Sequence, residues 1–259
     1  MLYLKYLKMN LRSFLQYRLN TFLAVLAQFL SSAVAFAGVY LLFDRFGSLG
    51  GWSLGEVSLC FAVTLSAFAI TDCVARGFDV FSGSVKSGDF DRILLRPRGT
   101  VLQVMGSHFE LSRLGRLLEA LLVLVLAVRW LGLAWDFPKA LTLLLMLLGG
   151  ACTFTGIYIL GAAVCFFTVE GLEFLNIFTH GGRELASYPL TIFNRWLRRF
   201  FTFIVPFGCM NYLPLLYLTG RAEQHAALYM LTPLLGVAFL FPCVLVWRMG
   251  VKRYLSTGN

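Results

Sequence analysis

The amino-acid sequence predicts an all-α membrane protein that crosses the bilayer several times. The longest stretch free of Asp, Glu, Lys and Arg covers residues 140–169, whereas a membrane-spanning helix needs only about twenty apolar residues. The chain is 59% hydrophobic and only 14% charged, well below the roughly one quarter charged residues of soluble domains. This composition excludes a large water-facing enzyme domain.

The charge pattern agrees with a membrane location. The formal net charge is +9, and the basic residues lie between the apolar segments, where the positive-inside rule and anionic headgroups account for them. We therefore expect membrane lipids, and no nucleic acid, as partners. Both termini are basic, which places both in the cytoplasm and predicts an even number of crossings.

The first predicted element is an amphipathic helix over residues 1–18. Lys5, Lys8 and Arg12 share one helical face, and leucines line the adjoining face. This pattern is typical of a helix that lies in the membrane interface. The alternative is a cytosolic extension that only sets the topology.

Five apolar segments follow as predicted spans, over residues 19–43, 57–75, 114–134, 140–167 and 228–247. A polar segment, 76–113, separates the second span from the third. Two further segments, 170–193 and 200–220, compete for one more crossing, which gives six transmembrane helices. The charge bias favours 200–220, because Arg195, Arg198 and Arg199 would then lie inside. The other segment would be re-entrant or interfacial, since irregular backbone at membrane depth must be buried in protein or line a cavity.

No motif for an enzyme is present. The sequence has no GxxxxGK phosphate-binding loop, no HExxH and no GxSxG. We expect no enzyme activity, metal or cofactor in this chain. No linker divides it, so we interpret residues 1–259 as one domain.

The segment between the second and third spans contains a short amphipathic helix. A Gly88-Asp89 turn precedes apolar residues at spacing 0, +3 and +4, and Pro97 ends the run. Such a helix can dock in a groove of a partner protein. An ordinary interfacial loop helix fits the same spacing equally well. The residues of this candidate docking site are Gly88, Asp89, Phe90, Asp91, Arg92, Ile93, Leu94, Leu95, Arg96 and Pro97.

Three features together resemble the membrane subunit of an ATP-binding-cassette exporter of the type-2 permease class. They are the amphipathic N-terminus, the string of residues 88–97, and the run of residues 184–193 followed by 204–207 and Leu213-Pro214. The resemblance covers essentially the whole chain. It is specific to the class and not to a substrate.

The resemblance implies a six-helix permease in the bacterial inner membrane, paired with a second copy or a related permease. Residues 88–97 would be the coupling helix that docks on separate ATP-binding subunits, which would hold ATP and Mg²⁺. The family pattern makes 170–190 the fifth crossing and places the stretch before the last span in re-entrant helices near the outer mouth, contrary to the charge bias. A membrane scaffold or assembly protein without a transport cycle is the alternative.

Charges inside predicted spans are candidates for function, because they are costly there. Glu119 lies three residues after Arg116, so the two are expected to pair on one helix face. Glu170 and Glu173 share a face and either line a cavity or cap a helix. The pathway candidates are Glu119, Glu170, Glu173 and Glu184.

Overall fold

The computed structural model describes residues 6, 9, 14, 16–168, 177–222 and 226–254. Regular structure in these residues is helical, and one isolated bridge joins Leu49 to Trp52. The α-helices are α1 (Arg18–Phe46), α2 (Leu54–Asp79), α3 (Phe81–Lys86), α4 (Asp89–Leu94), α5 (Thr100–Ser107), α6 (Leu114–Leu131), α7 (Phe137–Val164), α8 (Gly182–Ala186), α9 (Arg195–Phe203), α10 (Leu213–Leu218), α11 (Ala226–Leu231) and α12 (Leu234–Arg253). Single turns of 3₁₀- or π-helix occur at Leu111–Arg113, Ile177–Gly181, Leu190–Ile192 and Gly208–Tyr212. The predicted interfacial helix of residues 1–18 lies mostly outside the described residues.

Four helical segments are long and apolar enough to cross a membrane: α1, α2 with α3, α7 and α12. The third predicted span is also a helix, α6. It contains three charged residues, so its composition alone does not identify it as a membrane helix. A fifth candidate is the pair formed by α9 and the segment Gly208–Leu218, which bends by 86°. Length and composition therefore give four or five candidate spans, fewer than the six predicted.

Helix α2 forms the centre of the bundle. It packs against α6, α7 and α5, while α1 packs mainly on α6, and α12 on α7. The contact between α7 and α12 depends on glycine, because a Cβ on Gly236 would lie 2.2 Å from the Gly149 carbonyl oxygen. The helices pack backbone to backbone there, as small residues permit in membrane proteins.

The two ends of α2 define two ends of the bundle. At the Trp52 end, Ser53 and Glu56 form a capping box at the helix N-terminus. The turn before it contains Gly47, Gly50 and Gly51 with positive φ values of 73°, 58° and 82°, which glycine adopts without steric cost. At the opposite end, called the Phe90 end, α2 is followed by α3 and α4.

The described parts of segment 166–191 connect these two ends. Phe166 contacts Phe90, with ring centroids 5.3 Å apart. After residue 176, successive contacts of the segment lie closer and closer to the Trp52 end. The His180 ring lies 5.7 Å from the Phe68 ring. The Ala186 carbonyl then accepts from the Thr64 hydroxyl at 2.9 Å, and the Thr191 hydroxyl accepts from Trp52 Nε1 at 2.8 Å. Phe166 and Thr191 thus lie at opposite ends of the bundle.

The bent pair begins and ends at the same end of the bundle. Arg195 follows closely on Thr191 at the Trp52 end, and Arg221 pairs with Glu56 at 2.8 Å at that end too. Between them the chain reaches mid-bundle, where the Met210 sulfur lies beside Gly150. The charge bias had favoured 200–220 as a crossing. In the structure the segment bends by 86° between Phe203 and Gly208, and the residues before and after it lie at the same end of the bundle.

Candidate functional site

Helix α4 is held to the bundle by Phe90. This side chain is fully buried, and its ring centroid lies 5.0 Å from that of Phe81, 5.0 Å from Tyr254 and 6.1 Å from Trp247. Edge-on contacts of this kind stabilise aromatic clusters beyond simple burial. The sequence placed Phe90 on the face offered to a partner. In the structure Phe90 instead faces the bundle, where rings from α3 and from the C-terminal segment cover it.

The surface that remains accessible lies at the end of α4. Leu95 is 85% exposed and Leu94 is 41% exposed, whereas Ile93 is half-buried against the core. The other exposed residues of this surface are Arg92, Arg96, Pro97 and Arg98. We call Leu94, Leu95 and these four residues the α4 tip. It combines two exposed leucines with a basic rim.

Polar contacts fix the start of α4. Gly88 adopts the left-handed conformation with φ 73°, and the Ser87 hydroxyl donates to Asp89 at 2.7 Å. The Phe90 ring of α4 contacts the Tyr254 ring at 5.0 Å, and burial, with a smaller contribution from the charge of Asp91, raises the pKa of Tyr254. The helix is therefore joined to the chain that follows α12.

The loop after α4 is held by residues that the sequence did not single out. Gln103 on α5 donates from Nε2 to the backbone oxygens of Ile93 at 3.3 Å and Arg98 at 3.0 Å. Trp247 on α12 donates from Nε1 to Thr100 at 3.0 Å. Arg96 of the α4 tip donates to the Tyr6 hydroxyl at 2.6 Å. The partners Trp247 and Tyr6 are distant in sequence from the residues they contact, so no local pattern predicts these two hydrogen bonds.

Asp72 is the centre of a buried charge cluster behind α4. It is 1% exposed and accepts hydrogen bonds from Arg116 at 3.1 Å and from the Tyr158 hydroxyl at 2.6 Å. Arg116 also donates to Gln28 on α1 at 3.0 Å. One carboxylate therefore connects α1, α2, α6 and α7. A buried charge needs such pairing to offset its lost hydration.

The rest of the charge cluster comes from the segment predicted to be a polar connection. Arg76 pairs with Asp79 at 2.5 Å and with Glu110 at 3.4 Å. Arg113 pairs with Glu110 at 3.1 Å and lies 3.6 Å from Asp72. Burial alone would raise the pKa of Glu110, but the Ser112 hydroxyl and the guanidiniums of Arg113 and Arg76 lower it below its ordinary value.

Segment 76–113 thus divides into two parts. Its first residues continue helix α2, with Phe78 buried, and its charges near both ends join the charge cluster. Its middle forms α3, α4 and the exposed α4 tip. The boundary at residue 76 was placed by charge. It coincides with a break in α2, since Ala75 has non-helical angles of φ −122° and ψ 15°, and the helix then resumes and runs to Asp79.

The structure describes two of the four pathway candidates, Glu119 and Glu184. Glu119 is 3% exposed, and neither of its carboxylate oxygens has a hydrogen-bond partner in the described residues. Glu184 is exposed, pairs with Arg183, and lines a cavity of about 100 Å³ together with Arg116 and Ser32. Glu170 and Glu173 lie outside the described residues.

The expected pair of Arg116 with Glu119 is absent from the ion pairs of the described chain. Arg116 turns to Asp72, 44 residues away. A spacing of three residues permits a pair on one helix face, but Arg116 joins Arg76, Arg113 and Tyr158 around Asp72 instead. In the sequence, Asp72 is the single charged residue within the predicted span 57–75. Its position inside an apolar segment was the signal that it needs a charged partner.

Comparison with known proteins assigns the family. The model of a family described as ABC-2 family transporter protein matches residues 29–258. No curated protein and no solved structure matches the chain. The matched region contains α2 to α12, the later part of α1 and the α4 tip, and it leaves out only the first 28 residues and the last one. The chain is a multi-pass membrane protein and belongs to the ABC-2 family of transporter proteins.

Proposed function

We propose that this chain is the permease subunit of an ATP-driven exporter, and that residues 88–97 couple it to separate ATP-binding subunits. ATP and Mg²⁺ would be bound by those subunits and not by this chain. A second permease, identical or related, would complete the substrate pathway. The observation that carries this proposal is the division of α4 into a buried anchor, Phe90, and an exposed tip with Leu94 and Leu95.

This division suits a helix that transmits movement. A partner that grips Leu94 and Leu95 would displace α4 as a unit, because Phe90 is packed between α3, α12 and the chain around Phe166. Close-packed aromatic contacts resist compression and pass displacements to their neighbours. Helix α3 continues from α2, which carries Asp72 and Arg76 of the charge cluster.

The proposed topology has six crossings: α1, α2, α6, α7, segment 166–191 and α12. The opposite locations of Phe166 and Thr191 support the fifth of these. Tyr6 contacts Arg96 and Tyr254 contacts Phe90, so the described residues nearest both termini lie at the Phe90 end. An even number of crossings follows.

We place the Phe90 end in the cytoplasm of a bacterial cell. Its exposed basic residues include Arg92, Arg96 and Arg98 on the α4 tip and Lys252 and Arg253 at the end of α12. Such an excess marks the cytoplasmic side. The Trp52 end, with the bent pair, would then face outward.

Co-purification tests the coupling role. The full-length chain is isolated in mild detergent from its own cells, and the bound ATPase is identified by its phosphate-binding loop and quantified. We expect Leu94→Asp with Leu95→Asp to lower ATPase recovery by about tenfold or more, since a charge buried in an apolar contact costs more than the ~1.4 kcal/mol of a tenfold change.

The matched control is Leu102→Asp, which alters another exposed leucine of the same segment and should keep the ATPase bound. Normal recovery with the Leu94 and Leu95 double variant would overturn the coupling role. Absence of any ATPase from the wild-type preparation would favour the scaffold alternative.

A further inference from the structure

We infer that the groove between the bent pair and α11–α12 binds an anionic amphiphile, with its headgroup at Arg198 and Arg199 and its acyl chain among the apolar residues toward Phe239. This site lies at the opposite end of the bundle from the α4 tip. It does not depend on whether the chain couples to an ATPase.

The groove consists of two cavities that share four lining residues. The larger has a volume of about 480 Å³ and the smaller about 250 Å³. Binding sites for small molecules commonly have volumes of roughly 300–1,000 Å³. The shared residues are Thr202, Phe203, Leu213 and Tyr229, so the two cavities lie side by side. We call it the Arg198 groove.

The two halves of the Arg198 groove differ in chemistry. The smaller half is lined by Arg198, Arg199 and Tyr212. The larger half contains Ile204, Pro206, Leu235 and Phe239 instead, and its lining is mainly apolar. A soluble anion would fill only the first half, and a neutral hydrocarbon only the second. An occupant with a charged head and an apolar tail fits both.

The charge at the smaller half is available for a ligand. Arg199 is exposed and Arg198 is half-buried. In the described part of the chain, neither has a carboxylate within ion-pairing distance. Two guanidiniums one residue apart at a groove mouth attract a phosphate or carboxylate, and the planar donors of arginine bind such groups in bidentate fashion.

The groove runs in the direction that a membrane lipid requires. Its charged half reaches Tyr212, whose ring lies 6.2 Å from that of Trp52 at the end of the bundle. Its apolar half reaches Phe239, which packs beside Gly156 on the central part of α7. A headgroup at the membrane surface and a chain pointing to the bilayer centre match this order. The hydrophobic effect then favours the tail, and the arginines favour the negative head.

Lipid titration of the purified full-length chain, followed by native mass spectrometry, tests the site. Phosphatidylglycerol is compared with phosphatidylcholine of the same chain length and with inorganic phosphate. We expect phosphatidylglycerol to bind most tightly and inorganic phosphate not to bind measurably. Arg198→Gln with Arg199→Gln should weaken phosphatidylglycerol binding by about 25-fold, that is about fivefold for each arginine, and leave phosphatidylcholine unchanged.

A matched control removes two charges from the same end of the bundle without touching the groove. Arg45→Gln with Arg129→Gln serves this purpose, since both arginines are exposed and neither lines either cavity. This variant should bind phosphatidylglycerol like the wild type. If it weakens binding as much as the Arg198 and Arg199 variant does, the attraction is a general surface effect and the proposal fails.

The tail half is tested separately. Leu235→Trp fills the apolar part of the groove and should weaken both phospholipids, whereas Leu234→Trp, at the neighbouring exposed position outside the groove, should not. Equal affinity for the two phospholipids in the wild type, unaffected by these variants, would overturn the site. Lipid binding is measured without ATP or an ATPase. A negative result would therefore not bear on the proposed coupling role of residues 88–97.

Discussion

The two ends of the bundle each join distant segments through a buried carboxylate and an arginine, but they do so in different surroundings. At the Phe90 end, Asp72 is 1% exposed and has three arginines within 3.6 Å. At the Trp52 end, Glu56 is 5% exposed, caps α2 and, among the residues that the structure describes, forms an ion pair only with Arg221. The Arg221 side chain is 42% exposed and lies over the Trp52 ring at 4.4 Å.

The exposure of the paired arginines indicates which end of the bundle depends more on electrostatics. Arg221 can return to water if its partner is lost, whereas the arginines around Asp72 are enclosed. The energetic cost of breaking a pair is set mainly by the charge left behind. The Phe90 end should therefore respond strongly to the loss of a single carboxylate, and the Trp52 end should respond weakly.

The sharpest test removes one carboxylate from each end. Asp72→Ala should lower the free energy of unfolding by about 3–5 kcal/mol, the usual cost of leaving a buried charge uncompensated. Glu56→Ala should cost only about 1–2 kcal/mol, because it removes a helix cap and a partly exposed ion pair. Denaturant unfolding in mixed micelles, followed by circular dichroism, measures both values. Equal losses would show that the two ends do not differ in this respect.

A smaller effect compares single hydrogen bonds at the two ends. Tyr158→Phe removes the 2.6 Å donor to Asp72 and should cost about 1.5–3 kcal/mol, as for hydrogen bonds to charged groups. Thr191→Val removes the neutral acceptor for Trp52 and should cost about 1 kcal/mol. The same unfolding assay compares them. If Thr191→Val lowered the free energy of unfolding more than Tyr158→Phe, the stronger hydrogen-bond network would lie at the Trp52 end.

The sequence predicts the helices well because hydropathy and helix length are local properties. The predicted span 140–167 corresponds to α7 at Phe137–Val164, and the predicted span 114–134 to α6 at Leu114–Leu131. The turn before α4 was also predicted, since Gly88 and Asp89 are local signals. The crossing in the last third was not decided by the sequence, because charge bias and family resemblance pointed to different segments.

The partners of charged and aromatic residues were harder to predict. The spacing of Arg116 and Glu119 predicts a pair, but the distance to Asp72 is fixed only when α2 packs on α6. The face containing Phe90 and Leu94 is visible in the sequence. Which part of it the chain itself covers depends on Phe166, Trp247 and Tyr254, and these belong to segments far from α4. Tertiary packing therefore determines both the partner of Arg116 and the burial of Phe90.

The smallest expected effect concerns acid stability at the Phe90 end. The pKa of Glu110 is lowered from 4.5, so its ionised form stabilises the fold at pH values above 4.5, and this contribution is lost as the pH falls through the lowered value. Glu110→Gln should therefore be less stable than the wild type at neutral pH, and the two should converge in acid. The difference should be modest, since the Glu110 side chain is 37% exposed and water screens its ion pairs.

Thermal unfolding of the wild type and of Glu110→Gln, from neutral pH into acid, measures whether their stabilities converge. Glu56→Gln is the control from the Trp52 end. A difference that stays constant or widens as the pH falls would mean that the Ser112 hydroxyl and the two arginines do not favour the ionised form of Glu110. The stability of the charge cluster would then depend on Asp72 and its partners, including Arg113, and not on the ionised form of Glu110.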